Sequence, residues 1–303
     1  MRLVYTADLH GDITSYRALL DLAVRYRARA AIVGGDLLPH AIKLQQSLDT
    51  QRHFIDRQLR PVLEEFHRLH TDVAVYLLAG NDDWAAAITA LEALELDGLA
   101  YPLHERIYAL SQSVQPLDTL DTRFIQGSQH DEQLWLVGYA CVPLTPFSIK
   151  DYERRDDGPL PLFDFGMSYS SWSGRIQPIN SQQIAALPSI AEDLVALSQR
   201  SSPVRTIYVC HTPPYQTPLD QMHGGRHVGS HALRTFIEAY NPLLTLHGHI
   251  HEAPQLTGVY ATQIGTTWCM NPGHNHGRFH AITLDTNDIA GTTEHTVFGR
   301  MQA

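Results

Sequence analysis

Residues 3–10 read Leu3-Val4-Tyr5-Thr6-Ala7-Asp8-Leu9-His10. A short run that favours extended backbone ends in a carboxylate and an imidazole one residue apart. In an extended segment, side chains two positions apart point to the same side, so Asp8 and His10 are expected to chelate one ion together. That donor pair suits Mn, Fe, Ni, Co or Zn. The same design recurs along the chain. Ala30 to Gly34 is an apolar run closed by Gly35-Asp36, where the glycines let the backbone turn and leave a carboxylate at the strand end. Val73 to Ala79 runs into Gly80-Asn81-Asp82-Asp83, residues 204–210 end in Cys210-His211, and 243–247 lead into Gly248-His249-Ile250-His251. Each tip has an ordinary reading by itself: a turn aspartate, an Asn-Asp loop, a core histidine. Their conjunction decides the matter, because strand ends gather at one edge of an α/β sheet, where such folds place their sites.

Between these strands, residues 14–27 and 43–68 carry apolar residues at helical spacing, among them Leu44, Leu48, Ile55, Leu59, Leu63 and Phe66. Thr14 or Ser15 is expected to cap the first helix. Further helices are expected at 181–199 and 230–239. Strands at 122–126 and 134–138 precede a Pro-, Gly- and Ser-rich stretch with aromatics, 143–180, which reads as an ordered loop or lid. Strands at 243–247, 258–264, 278–284 and 292–298, with few helical signals between them, suggest a second sheet. No repeat or composition break divides the chain, so residues 1–303 are read as one domain.

The chain has 303 residues, 44% of them hydrophobic, enough for a large core without disulfides. Its formal net charge is −10 and it has no basic run, which argues against a protein that grips duplex nucleic acid by its phosphates. Cys141, Cys210 and Cys269 are too few and too scattered for a disulfide framework or zinc ribbon. No stretch approaches the roughly 20 apolar residues of a membrane span, and the first apolar run meets Asp8 too soon for a signal peptide. A cytoplasmic protein without a membrane partner is expected; the sequence sets no oligomeric state.

The ordered blocks Asp8-x-His10, Gly35-Asp36, Gly80-Asn81-Asp82, His211 and Gly248-His249-x-His251 resemble the calcineurin-like metallophosphoesterase superfamily. Within it the chain is similar to a bacterial and archaeal group of phosphoesterases, through His211-Thr212-Pro213-Pro214-Tyr215, His227-Val228-Gly229-Ser230, Gly248-His249-Ile250-His251-Glu252 and Asn271-Pro272-Gly273. The resemblance implies a four-layer α/β/β/α sandwich of two mixed sheets flanked by helices. It implies two divalent or transition-metal ions, one held by Asp8, His10 and His251, the other by Asn81, His211 and His249, with Asp36 bridging. A metal-bridging hydroxide would then attack phosphorus.

One position departs from the family. Where many of its phosphatases carry a proton-donating His after the Asn, this chain has Asp82. Asp82 itself, or a loop histidine such as His223 or His227, is a candidate donor, and a sufficiently acidic leaving group needs none. Two divalent ions, Asp8, Asp36 and a hydroxide sum to about +1, lowered further by Asp82 and Asp83. A monoanionic diester is therefore favoured over a dianionic monoester. The expected partner is a small or nucleotide-type phosphodiester. Phosphomonoesterase, nuclease and non-catalytic scaffold are the other readings. Arg154 and Arg155 read as a solvated charge cluster with Asp156 and Asp157, or as a phosphate contact. Phe147, Tyr152, Phe163, Phe165, Tyr169 and Trp172 read as lid packing, or as a base-stacking surface.

Overall fold

A computed structural model describes residues 1–110, 133–158, 166–275 and 277–301. The opening run is strand β1 (Arg2–Thr6), followed in parallel by β2 (Ala30–Gly34), β3 (Ala74–Leu78) and β4 (Tyr101–Pro102). A second sheet begins with β5 (Ile107–Leu110) and β6 (Leu134–Tyr139). Two small ladders follow, β7 (Val142–Pro143) with β8 (Glu153–Arg154), and β9 (Tyr169–Ser170) with β10 (Gln177–Pro178). The second sheet resumes with β11 (Thr206–Cys210), β12 (Leu244–Leu246), β13 (Ala261–Ile264) and β14 (Thr267–Met270), in the order β13-β14-β12-β11-β6-β5.

The late strands correct one expectation. They do not stay in the second sheet: β15 (Ile282–Asp285), β16 (Glu294–His295) and β17 (Gly299–Arg300) return to the first, where β15 pairs antiparallel with β1. The N-terminal strand would otherwise leave its free side unpaired, and pairing there turns it from an edge into an interior strand.

Strand periodicity explains the layering. Leu3 and Tyr5 of β1 enter the core shared with Ile207 and Val209 of β11, while Val4 faces the other way, onto Leu19, Leu20 and Ala23. That outer face is covered by α1 (Ile13–Tyr26), α2 (Leu44–Phe54) and α3 (Arg60–His67), the last two joined by a π-turn at Ile55–Leu59. Beyond the small α4 (Ala85–Ile88), α5 (Leu91–Leu96) and α6 (Ser181–Ala185), the helices α7 (Ile190–Ser198) and α8 (His231–Tyr240) cover the second sheet. There Tyr208 meets Phe236 edge-on at 5.1 Å. The layers are helices, sheet, sheet, helices. Asp12, not Thr14 or Ser15, caps α1: its carboxylate accepts from Thr14 N at 3.0 Å and Ser15 Oγ at 2.7 Å.

Of the 143–180 segment, the described residues are tied down. Asp151 is fully buried and accepts from Ser170 Oγ, Ser171 N and, at 2.9 Å, Ala85 N at the start of α4. The buried Lys150 pairs with Glu153 at 2.7 Å. Arg154 is buried rather than solvated, donating to the carbonyls of Asp151 and Glu153, and Asp156 caps α8 through Ser230 Oγ and the His231 and Ala232 amides. Arg155 reaches Leu187 O and Glu192. The expected strand at 122–126, Phe163 and Phe165 lie outside the described residues. No described helix is long and apolar enough to cross a membrane.

Candidate metal centre

The five polar tips follow the carboxyl ends of β1, β2 and β3 in one sheet and of β11 and β12 in the other. The strand ends gather as expected, but the paired side chains within a tip are not brought together by extended backbone. Asp8 (φ 59°), His10 (φ 44°), Asp36 (φ 48°) and His249 (φ 65°) all sit in the left-handed region, so the tips are kinks, not extended pairs. Each such residue costs about 1–2 kcal/mol unless its surroundings hold it. Here they do. Asp8 N donates to Gly35 O at 3.0 Å, His10 N to Asp36 O at 2.8 Å and Gly248 N to His211 O at 2.9 Å, lacing the loops together.

Side chains to which the sequence assigns no such role complete the lacing. Asp83, fully buried, does not face outward as a second site charge; it accepts from Leu37 N, Leu38 N and Gly80 N, each at 2.9 Å. Tyr5 crosses between the sheets to donate to His247 O at 2.7 Å. The buried amide of Asn271 donates to Leu219 O, Gly248 O and Ile250 O, and accepts from Gly273 N. Their common signal is a polar side chain beside a strand end, one too general to single them out by spacing.

Within this frame the donor atoms of Asp8, His10, Asp36 and His251 lie within 4.8 Å of one another, and so do those of Asp36, His211 and His249. Asp36 belongs to both groups. His251 Nε2 is 3.3 Å from Asp8 Oδ1, His211 Nε2 is 3.3 Å from Asp36 Oδ2, and His10 Nε2 is 3.4 Å from His251 Nε2. Donors held at about 2.0–2.2 Å from one ion stand at such separations. Backbone groups aim the side chains: His211 Nδ1 donates to Gly34 O at 2.9 Å, leaving Nε2 for the cluster, and His249 N donates to Asp8 Oδ1 at 3.0 Å. His211 Nε2 and Asn81 Oδ1 are buried without a hydrogen-bond partner, as expected of atoms that serve a cation. The cradle tolerates no added carbon: a Cβ on Gly35 would stand 2.0 Å from His211 Nδ1, and one on Gly80 2.1 Å from Asp36 Oδ1.

The electrostatics agree. Burial opposes ionisation of Asp36, yet His211 and His10 hold it well below the usual carboxylate range; Asp8 is lowered likewise by His251 and His211. Against the same burial, Asp36 and Asp8 push His211 up to about 9, and Asp8 and Asp36 push His251 up to about 9. His249, desolvated and facing His211, falls to about 3. Carboxylates that draw protons onto imidazoles will draw a cation in their place.

Asp82 stands at the mouth. Its amide donates to Asp36 Oδ1 at 3.0 Å, its Oδ1 accepts from Asn81 Nδ2 at 3.3 Å, and its Oδ2 lies 3.3 Å from His40 Nε2 and 3.9 Å from His10 Nδ1. Burial, Asp36 and Asp83 raise it to about 8. His40, stacked on His10 at 4.8 Å, is a site residue that sequence reasoning missed; its place four residues after Asp36 is the available signal. His227 is paired with a carboxylate of its own loop. Its Nδ1 meets the buried Asp220 at 2.7 Å, and Asp220 also gathers the amides of Gln216, Thr217 and Gly229. His223 lies in an exposed turn. A cavity of about 440 Å³ opens beside His10, between the first turn of α1 and the turn bearing His274, Arg278 and Phe279.

The profile of the calcineurin-like phosphoesterase family matches residues 1–253, and the chain belongs to that family of metal-dependent phosphoester hydrolases. No curated protein matches the sequence. Among solved structures, the protein TT1561 of Thermus thermophilus is 18% identical, with 98% of each chain covered and a TM-score of 0.57, which supports the shared fold. A dimetal phosphatase from Danio rerio is 12% identical over 93% of this chain and 91% of its own, at a TM-score of 0.47. An archaeal phosphodiesterase is 11% identical over 97% of this chain and 98% of its own, at 0.39.

Proposed function

We propose that the protein is a binuclear phosphodiesterase acting on a small or nucleotide-type substrate. The observation that carries the reading is the double membership of Asp36: its carboxylate belongs to both donor groups, one with Asp8, His10 and His251, the other with His211 and His249. Asn81, whose Oδ1 is buried and unpartnered, is the further donor we assign to the second group. Two ions held there would supply Lewis acidity and make a bound water acidic enough to act near neutral pH. The protein's own part is positional. The kinked loops hold seven donors in place, the Gly34 carbonyl keeps His211 in one tautomer, and the cavity beside His10 receives the body of the substrate.

Asp82, rather than His227, is the group set to assist the leaving oxygen, since Asp82 borders His10 and His40 whereas His227 is bound to Asp220. Asp8 and Asp36 offset part of the charge of two divalent ions, and a singly charged diester needs less positive charge than a dianionic monoester, which is the basis for the diesterase reading. Purified protein reloaded with Mn²⁺ or Co²⁺ should hydrolyse bis(p-nitrophenyl) phosphate faster than p-nitrophenyl phosphate in a screen over mono-, di- and pyrophosphate esters. Preference for the monoester would make it a phosphatase. Turnover of none, with fewer than two ions bound, would make it a non-catalytic member of the fold.

A further inference from the structure

We propose that His40, Asp82 and the Nδ1 edge of His10 form a seat for a third divalent cation at the mouth of the site. The two ring nitrogens of His10 face different groups. Nε2 lies 3.4 Å from His251 Nε2 and 4.0 Å from Asp36 Oδ2, within the floor, whereas Nδ1 lies 3.9 Å from Asp82 Oδ2. That Nδ1 is buried and has no hydrogen-bond partner. His40 Nε2 stands 3.3 Å from the same Asp82 oxygen, and the donor atoms of His10, His40 and Asp82 all fall within 4.8 Å of one another. Stacking of the two imidazoles at 4.8 Å aligns His40 with His10.

Three donors with remaining positions open to water describe an open site rather than a closed structural one. Two imidazoles and a carboxylate select Zn²⁺, Co²⁺ or Ni²⁺ over Mg²⁺ or Ca²⁺. His10 Nδ1 faces this position while Nε2 faces the floor, so an ion on each side would displace the Nδ1 proton to solvent water. The His40 side chain is 58% exposed and that of Asp82 24%, so the ion enters from solvent and binds more weakly than one on the buried floor. The position also has a use. Asp82 stands where the family's phosphatases carry a proton-giving His, and a cation held there places positive charge at the spot where those enzymes place a proton. This use rests on the phosphodiesterase reading; the site itself does not.

The test is a metal count by inductively coupled plasma mass spectrometry after equilibrium dialysis against a fixed excess of Co²⁺, with the free ion of the outer buffer subtracted. Wild type is expected to retain one equivalent more than His40→Ala and than Asp82→Asn, with His227→Ala matching wild type. The extra equivalent should bring a visible Co²⁺ absorption band that His40→Ala lacks. Equal counts and spectra for wild type and His40→Ala would overturn the proposal, whatever the activity. The difference in count without turnover of any phosphoester would sustain the site while removing the phosphodiesterase reading.

Discussion

The floor and the mouth of the site are built to different standards. On the floor, the side chains of Asp8 and His211 are fully buried and that of Asp36 is 3% exposed. Each is held by neighbouring backbone as well as by its partners, through Gly34 O, the His249 amide and the Asp82 amide. At the mouth, Asp82 and His40 rest on each other and on His10, half in solvent. A floor that four left-handed residues and two crowded glycines over-determine can change little, whereas the mouth can take a different side chain without disturbing the fold. The replacement of a donor His by Asp82 falls where the structure is permissive.

The sharpest break in that contrast is Asp36→Asn. Losing the shared carboxylate should lower kcat/KM by more than the roughly 10–100-fold typical of outer-shell changes and reduce the metal count. Circular dichroism of the variant would check that the fold survives. At the mouth, Asp82→Asn should instead split substrates: hydrolysis of an alkyl diester should fall by about 10²-fold and that of an aryl diester by less than about tenfold. Equal losses on both esters would remove Asp82 from leaving-group assistance. Gly80→Ala sharpens the floor from the packing side. The new Cβ meets Asp36 Oδ1 at 2.1 Å and the Asp36 amide at 2.3 Å, so stability should drop by about 1–3 kcal/mol in urea unfolding, together with metal affinity. His227→Ala, which removes the partner of the buried Asp220 rather than a group beside Asp82, should lower the alkyl and aryl diester rates by the same factor.

Much of the floor is legible in the sequence because it is written in short apolar runs that stop at polar tips. Val4 and Tyr5, alternating between two cores, carry the strand period, and the five tips arrive in family order. The way the tips converge is not legible. Asp8-x-His10 has the same spacing whether extended or kinked, and only the hydrogen bonds to Gly35 and Asp36 select the left-handed turn. The destination of β15 is hidden too, since a strand's sequence does not say which sheet has a free side for it. His40 and Asp83 escape notice for a similar reason: their roles depend on what the β2 and β3 loops bring opposite them, and Asp83 meets Leu38 and Leu37 across 45 and 46 residues of chain.

Two ions sharing Asp36 on the floor would be seen by anomalous diffraction from crystals grown with Mn²⁺. One peak is expected within Asp8, His10, Asp36 and His251 and a second within Asp36, Asn81, His211 and His249. A single peak, or two peaks with Asp36 bound to only one of them, would contradict that sharing.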